Sequence, residues 1–202
     1  MNATAKKAHA GALSAVAMAT VPANHEHQPA GFRPESLHCS ELISGGGTLA
    51  LVDFQEEFLR ALPERSFLAH ALDQIALARR RGWGIVLIET KPWRLGESIP
   101  EIQEALAGAW YKRVSKQVTS GADKVLDACF EMGFNNKLIR VCGVYTDACI
   151  KGTAVGLVDE TDDSLVRVMK EACATDLNEI ESWADFPQHE RLVVSSVAID
   201  RH

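Results

Sequence analysis

The segments that follow Gly45 alternate between two periodicities, and this alternation limits the fold more than any other feature of the sequence. Six short segments have the length and pattern of β-strands, the third of them polar: residues 48–54, 83–90, 111–117, 137–146, 165–174 and 191–199. Apolar residues recur at helical spacing in residues 56–82, 98–110, 120–134, 147–160 and 176–186. Strands and helices that alternate in this way form a parallel sheet covered on both faces. The sequence therefore predicts an α/β fold with a doubly wound, mainly parallel six-stranded sheet, a Rossmann-like three-layer sandwich.

Residues 1–45 differ in composition from the rest of the chain. Their first part is rich in alanine, and a polar patch with proline, histidine and glycine follows it. Two lysines before the alanine-rich run give a weak likeness to a signal peptide, but that run contains one leucine and no isoleucine or phenylalanine. An N-terminal extension, an arm or a tail, is the favoured interpretation, with export as the alternative. Residues 46–202 are predicted to form one globular domain.

The charge and the cysteines limit the partners and the compartment. At a net charge of −6 the chain opposes binding to nucleic acid or to an anionic membrane, because neither attracts a net anion. A small-molecule substrate is therefore the expected partner, and no run of about 20 strongly apolar residues suggests a membrane span. The five cysteines are odd in number and include no CxxC pair, which is typical of reduced thiols. We expect a cytoplasmic protein.

Polar residues end several of the predicted strands. In sheets of this kind ligands bind beyond the carboxyl ends of the strands, near the point where the strand order reverses. The residues at those ends are Asp53, Thr90 with Lys91, Lys116, residues 146–149 and residues 171–175. We expect the functional site among them.

Cys149 is the candidate nucleophile. It lies three residues after Thr146, a residue type common at helix N-caps, so we expect its thiol in the first turn of a helix. The unpaired amides of such a turn stabilise an anion, and Lys116 would add a cation. Both effects would lower the pKa of the thiol toward neutrality. The competing interpretation is that Cys149 is a small core residue.

A carboxylate is the predicted acceptor of the thiol proton. No histidine lies between His70 and His189, which argues against a cysteine–histidine pair. Asp53 can do the same work if it lies beside the thiol, and Lys116 would hold the two negative charges together. The predicted catalytic set is therefore Asp53, Lys116 and Cys149.

Four motifs resemble those of the isochorismatase-like cysteine hydrolases, in the same order along the chain. "ALVDFQEEF" is similar to the family's strand-ending D-x-Q segment and places its aspartate at Asp53. "SKQVTSGAD" places the family's lysine at Lys116, although Ala122 stands where an aromatic residue is usual. "GVYTDACIKGTAVG" is similar to the family signature around the nucleophile and places it at Cys149. "KEACATD" resembles a later strand end of the family, with Glu171 where aspartate is usual.

The resemblance implies an activity and a role for each of these residues. The family includes nicotinamidases, N-carbamoylsarcosine and ureido amidohydrolases, and isochorismatases. The chain is accordingly expected to hydrolyse a small amide, carbamoyl or ureido C–N bond through a thioester, with Asp53, Lys116 and Cys149 as the catalytic triad. The family pattern also implies a cis peptide bond between Val144 and Tyr145, with the backbone N–H groups of Tyr145 and Cys149 forming the oxyanion hole. Dimers and tetramers are frequent among members, so a homo-oligomer is expected.

Further residues are candidates for binding the substrate. Gln55, Trp93, Arg94 and Tyr145 are the four, and Arg94 together with Lys91 could bind a substrate carboxylate or phosphate. In nicotinamidases the loop after the second strand holds metal ligands. Here that loop reads "ETKPWRLGESIPE" and contains no histidine, so we predict no metal and no cofactor.

Two other functions stay open at this point. The first is hydrolysis of a vinyl ether, as in the isochorismatases, and the second is a non-catalytic member that binds a ligand. Isochorismatases commonly lack the cysteine, so Cys149 favours C–N hydrolysis.

Overall fold

The computed structural model describes residues 46–196. The predictions for residues 1–45 and for the end of the sixth strand lie outside the described residues. The domain boundary at residue 46 therefore stays a prediction.

Six strands form one sheet in the order β3-β2-β1-β4-β5-β6, and every pairing between them is parallel. Their bounds are β1 (Thr48–Val52), β2 (Gly84–Thr90), β3 (Tyr111–Lys116), β4 (Leu138–Val144), β5 (Leu165–Ala174) and β6 (Leu192–Ser195). The order reverses between β1 and β4, since β2 and β3 add on one side and β5 and β6 on the other. The prediction of a doubly wound six-stranded sheet is confirmed, and the crevice at the switch point is where such sheets bind ligands.

Helices connect these strands. Their bounds are α1 (Glu56–Leu59), α2 (Phe67–Arg80), α3 (Pro92–Leu95), α4 (Pro100–Leu106), α5 (Ala122–Met132), α6 (Lys151–Asp159) and α7 (Glu179–Ala184). Helix α2 packs on β1, β2 and β5, whereas α5 and α6 contact each other and pack on β2, β3, β5 and β6. The segment 56–82 contains two helices, because a break that includes Pro63 separates α1 from α2. The short helix α3 was not predicted; it begins with Pro92, whose fixed φ suits a first helical position.

The connection from β4 to α6 differs from the prediction. A π-helical turn, Thr146–Ile150, precedes α6, and the residue at its N-cap is Tyr145. Thr146 was expected to be the N-cap, but it lies buried inside the turn, and no side chain caps this end of the helix. Single π-helical turns are rare and frequently occur at functional sites. This one carries Cys149.

The central strands are covered on both faces. All five residues of β1 are fully buried, as are Ile85, Val86, Leu87 and Ile88 of β2. Strands of a parallel sheet read as continuous apolar runs because helices cover both faces. This buried centre holds the carboxyl ends of β1 and β4 next to each other.

Gly143 allows β4 to approach β1 at this end of the sheet. Its φ is +145°, and a Cβ on it would lie 2.0 Å from the carbonyl oxygen of Val52. The pairing of β4 with β5 also changes register between Val141 and Gly143. No residue with a side chain fits here without moving the backbone just before Asp53.

We expect the Gly143→Ala substitution to lower the free energy of unfolding by about 3 kcal/mol or more, since the new methyl group would overlap backbone atoms at a strained φ. Gly133→Ala is the matched control. Gly133 also has a positive φ, +69°, but its Cβ would meet no atom within 4 Å, so that change should cost about 1 kcal/mol. Urea unfolding of both variants measures the difference, and equal costs would contradict the close approach.

Candidate active site

Asp53 follows β1 directly and is fully buried. Its backbone N–H donates to the carbonyl oxygen of Ile88 at 2.9 Å, which fixes the residue against β2. One carboxylate oxygen, Oδ1, accepts a hydrogen bond from the Thr90 hydroxyl at 2.9 Å. The other, Oδ2, lies 2.8 Å from the Nζ atom of Lys116. Both oxygens of the carboxylate are therefore engaged, one by the end of β2 and the other by the end of β3.

Lys116 is the last residue of β3, and its side chain is 1% exposed. In addition to its ion pair with Asp53, its ammonium group donates a hydrogen bond to the carbonyl oxygen of Thr119 at 2.9 Å. A buried ammonium without a negative partner would be strongly destabilising, so each charge of this pair requires the other. The structure thus brings together two of the three residues that the sequence singled out.

Cys149 completes the cluster. Cys149 is half-buried, and both the Asp53 carboxylate and the Lys116 ammonium act on the pKa of its thiol. Burial and the negative charge of Asp53 raise the pKa of the thiol to about 11, and Lys116 offsets only part of this increase. The expected decrease of this pKa toward neutrality was therefore wrong, because burial and the carboxylate outweigh the lysine. The resting thiol carries its proton at neutral pH.

The backbone at three strand ends is left-handed. Asp53, Lys91 and Tyr145 directly follow β1, β2 and β4, and they have φ values of +60°, +43° and +62°. Among the described residues no other non-glycine residue has a positive φ. Such conformations persist only where the surroundings enforce them, and they cluster at functional sites.

The predicted cis peptide bond is absent. Every peptide bond in residues 46–196 is trans, that between Val144 and Tyr145 included. The chain instead changes direction through the left-handed conformation of Tyr145. The oxyanion hole at the N–H groups of Tyr145 and Cys149 stays a prediction.

The four candidate substrate-binding residues fall in different environments. Trp93, 67% exposed, and Arg94, also exposed, lie on α3, just beyond the end of β2. Tyr145 is half-buried, and its ring meets that of Phe58 edge to face at 5.4 Å. Gln55 is fully buried, and its amide is hydrogen-bonded to the backbone of the loop after β2. The structure therefore places Gln55 where it organises the site.

Sequence reasoning missed two partners in the cluster. Thr90 had been noted as a strand end, but nothing in its neighbourhood predicted that its hydroxyl would bond Asp53. The carbonyl of Thr119 carries no sequence signal at all, because any residue supplies one.

The part of the chain that the structure describes contains neither a cluster of metal ligands nor a membrane-spanning helix. Within residues 46–196 no three histidine, cysteine, aspartate or glutamate side chains are grouped so that they could hold a metal ion. The helices of the same residues are too short or too polar to cross a bilayer.

The known proteins that are similar to this chain in sequence point to the same family as its motifs. No family model matches the chain. It is 29% identical over 134 residues to isochorismatase domain-containing protein 2 of Bos taurus, covering 66% of this chain and 62% of that protein. The chain is thus similar in sequence to isochorismatase domain-containing proteins. The protein of the same name from Xenopus laevis is 27% identical to it over 130 residues, 63% of this chain and 60% of that protein. The resemblance drawn from the motifs is confirmed, and the chain spans about three fifths of the length of these relatives.

Solved structures share the fold of this chain. MAR1 ribonuclease from Caenorhabditis elegans superposes with a TM-score of 0.62 at 16% identity, over 74% of this chain and 77% of that one. The octameric YcaC hydrolase of unknown specificity from Escherichia coli gives 0.60 at 21% identity, over 74% of each chain. N-carbamoylsarcosine amidase from Thermoplasma acidophilum gives 0.58 at 19% identity, over 75% of this chain and 96% of that one. At these identities the likeness shows the fold.

We expect the Asp53→Asn substitution to lower the pKa of the Cys149 thiol below about 11, since it removes the negative charge that raises this pKa. At pH 9 the thiolate fraction, and with it the rate of alkylation by iodoacetamide, should rise roughly tenfold per unit of pKa. Mass spectrometry of the Cys149 peptide measures the rate.

Asp147→Asn is the matched control, because Asp147 lies in the same π-helical turn but bonds Thr175. An equal increase in both variants, or none in Asp53→Asn, would contradict the electrostatic coupling.

Proposed function

We propose that this chain is a cysteine-dependent hydrolase of a small amide, carbamoyl or ureido C–N bond, acting through a thioester intermediate. The observation that carries the proposal is the convergence of sulfur, carboxylate and ammonium from three separate segments at the switch point of the sheet. Asp53, Lys116 and Cys149 are the proposed catalytic triad.

The first step is removal of the thiol proton. A thiol with a pKa of about 11 is a poor nucleophile at neutral pH, so a base must take its proton as it attacks. Asp53 is the carboxylate within reach. Transfer of the proton to Asp53 moves the negative charge to sulfur, and Lys116 lies beside both atoms and stabilises either state. The total charge of the cluster does not change in this step, which limits its cost in a buried site.

The second step forms the thioester. The Cys149 sulfur attacks the substrate carbonyl carbon, and the resulting oxyanion would accept hydrogen bonds from the N–H groups of Tyr145 and Cys149, the proposed oxyanion hole. Each such donor contributes roughly 3 kcal/mol of transition-state stabilisation. The C–N bond then breaks as Asp53 returns the proton to the leaving nitrogen. Water, deprotonated by Asp53, attacks the thioester, releases the acid or carbamate, and restores the thiol.

Trp93, Arg94 and Tyr145 are the proposed substrate contacts. Trp93 and Arg94 follow β2 on α3, and Tyr145 belongs to the turn that carries Cys149. Arg94 would bind an anionic group of the substrate, since a guanidinium pairs with a carboxylate or phosphate in a two-pronged geometry.

Other known proteins of this fold bear on the alternatives. N-carbamoylsarcosine amidase, named for a C–N substrate, supports the proposal. Vinyl ether hydrolysis is less favoured because the chain keeps the cysteine that isochorismatases commonly lack. MAR1 ribonuclease is named for a nucleic acid, but the net charge of this chain disfavours such a substrate.

We also propose a homo-oligomer in a reducing, cytoplasm-like compartment. The YcaC protein of this fold is octameric, which supports assembly. The four cysteines in residues 46–196 are free thiols, which supports the compartment.

Release of ammonia from a panel of small amides, carbamoyl compounds and ureas tests the proposed activity. On a substrate that turns over, Cys149→Ala should lower kcat by about 10³-fold or more, because it removes the proposed nucleophile. Asp53→Asn should lower kcat by about 10²-fold or more, because it removes the proposed proton acceptor. Cys129→Ala, which removes a buried thiol that contacts Thr48 at the opposite end of β1 from Asp53, should leave turnover close to that of the wild type. Full turnover in Cys149→Ala would overturn the proposal.

Arg94→Glu should raise KM for an anionic substrate of the panel by about tenfold and change kcat little. The exposed guanidinium of Arg94 would attract the substrate but take no part in bond making or breaking. Arg80→Glu, an exposed charge reversal at the far end of α2, is the control. An unchanged KM in Arg94→Glu would remove Arg94 from the binding site.

A further inference from the structure

Thr90 presents its hydroxyl to the carboxylate of the catalytic cluster. The Thr90 Oγ1 atom donates to Asp53 Oδ1 at 2.9 Å, while Lys116 Nζ lies at 2.8 Å from Oδ2. The terminal torsion of an aspartate is broad, so hydrogen bonds decide how its carboxylate is turned. Because Thr90 occupies Oδ1 and Lys116 occupies Oδ2, the carboxylate is fixed in one orientation beside the thiol.

The side-chain amide of Gln55 holds the backbone of Thr90 in place through two hydrogen bonds. Its Oε1 atom accepts from the Thr90 N–H at 2.7 Å, and its Nε2 atom donates to the Thr90 carbonyl oxygen at 3.0 Å. The same Nε2 atom also donates to the carbonyl oxygen of Gly96. Both N–H groups of the amide are thereby used, and the side chain is fully buried. Gln55 cannot offer an N–H group to a substrate without releasing this loop.

The loop between β2 and α4 is fixed by further bonds next to this clamp. The Ser98 N–H donates to the Glu89 carboxylate at 2.7 Å, and the Ile99 N–H donates to the Phe54 carbonyl oxygen at 2.9 Å. Gln55 therefore connects the carboxyl end of β1 with a rigid loop. The position of Thr90 is determined by that connection and by its place at the end of β2.

We infer that Thr90, clamped by Gln55, is a positioning residue that turns the Asp53 carboxylate toward the Cys149 thiol. The inference rests on the proposed function for its catalytic consequence. It also corrects the role expected of Gln55, from contact with substrate to support of the residue that orients the base.

The first test is kinetic. Thr90→Val keeps the shape of the side chain and removes the hydroxyl. Because the base is then misplaced, kcat should fall by roughly 10- to 100-fold, while KM should stay within about twofold of the wild-type value. Thr90→Ser keeps the hydroxyl and should restore most of kcat. Thr161→Val is the matched control, because it removes a hydroxyl that bonds the Leu157 carbonyl oxygen instead. A kcat in Thr90→Val equal to that of the wild type, or no rescue by Thr90→Ser, overturns the inference.

The second test needs no substrate. At pH 9 the alkylation of Cys149 by iodoacetamide should be at least about threefold faster in Thr90→Val than in the wild type but slower than in Asp53→Asn, because a carboxylate held by Lys116 alone can turn away from the thiol yet keeps its negative charge. Gln55→Met should shift the rate in the same direction, and the double variant should be no faster than Thr90→Val alone if both residues act as one unit. Circular dichroism establishes that each variant is folded.

The two tests separate the inference from the proposed function. If Asp53→Asn leaves the alkylation of Cys149 unchanged, Asp53 is not coupled to the thiol and the proposed function loses its base. If Asp53→Asn accelerates alkylation and Thr90→Val does not, the base stands and the role of Thr90 is overturned. If alkylation is faster in both Asp53→Asn and Thr90→Val, and Thr90→Ser restores the wild-type behaviour, the results support both the proposed base and the role of Thr90.

Discussion

The ion pair between Asp53 and Lys116 is the interaction on which the site depends. Its two charges come from the ends of β1 and β3, and β2 lies between those strands, so the pair exists only because the sheet has this order. Both side chains are almost completely buried, and neither charge could stay there alone. The pair therefore ties the loops after β1 and β3 to one point. Thr90, at the end of the strand between them, bonds the same carboxylate.

The same pair sets the electrostatics of the cysteine. Asp53 raises the pKa of the Cys149 thiol and Lys116 lowers it, and with burial the net result is about 11. A cysteine–histidine pair can maintain a thiolate before substrate arrives. Here the neutral thiol and the carboxylate form the resting state, so the nucleophile would be created by proton transfer within the cluster. This arrangement protects the sulfur from reactions that require a thiolate, and it makes the orientation of the carboxylate important.

Backbone strain is concentrated at the same edge of the sheet. Asp53, Lys91 and Tyr145 adopt left-handed conformations where three strands end, and Gly143 brings β4 to within contact of β1 just below. Each of these conformations costs about 1 kcal/mol or more and is maintained by the buried sheet behind it. The buried strands β1 and β2 thus do more than fill the core, because they support the strained edge of the sheet.

The sequence alone determined the layers of the fold and the identity of the cluster. Apolar runs such as that of β1 and the helical spacing between them are local patterns, and the spacing of Asp53, Lys116 and Cys149 at strand ends follows from them. Other features were decided by contacts between residues far apart in sequence. The raised pKa of Cys149 depends on its burial and on the charge of Asp53, a residue far away in sequence. The π-helical turn that carries Cys149 was likewise not visible in the local pattern of the sequence. The role of Gln55 changed for the same reason, since only the tertiary structure brings its amide to the backbone of Thr90 and Gly96.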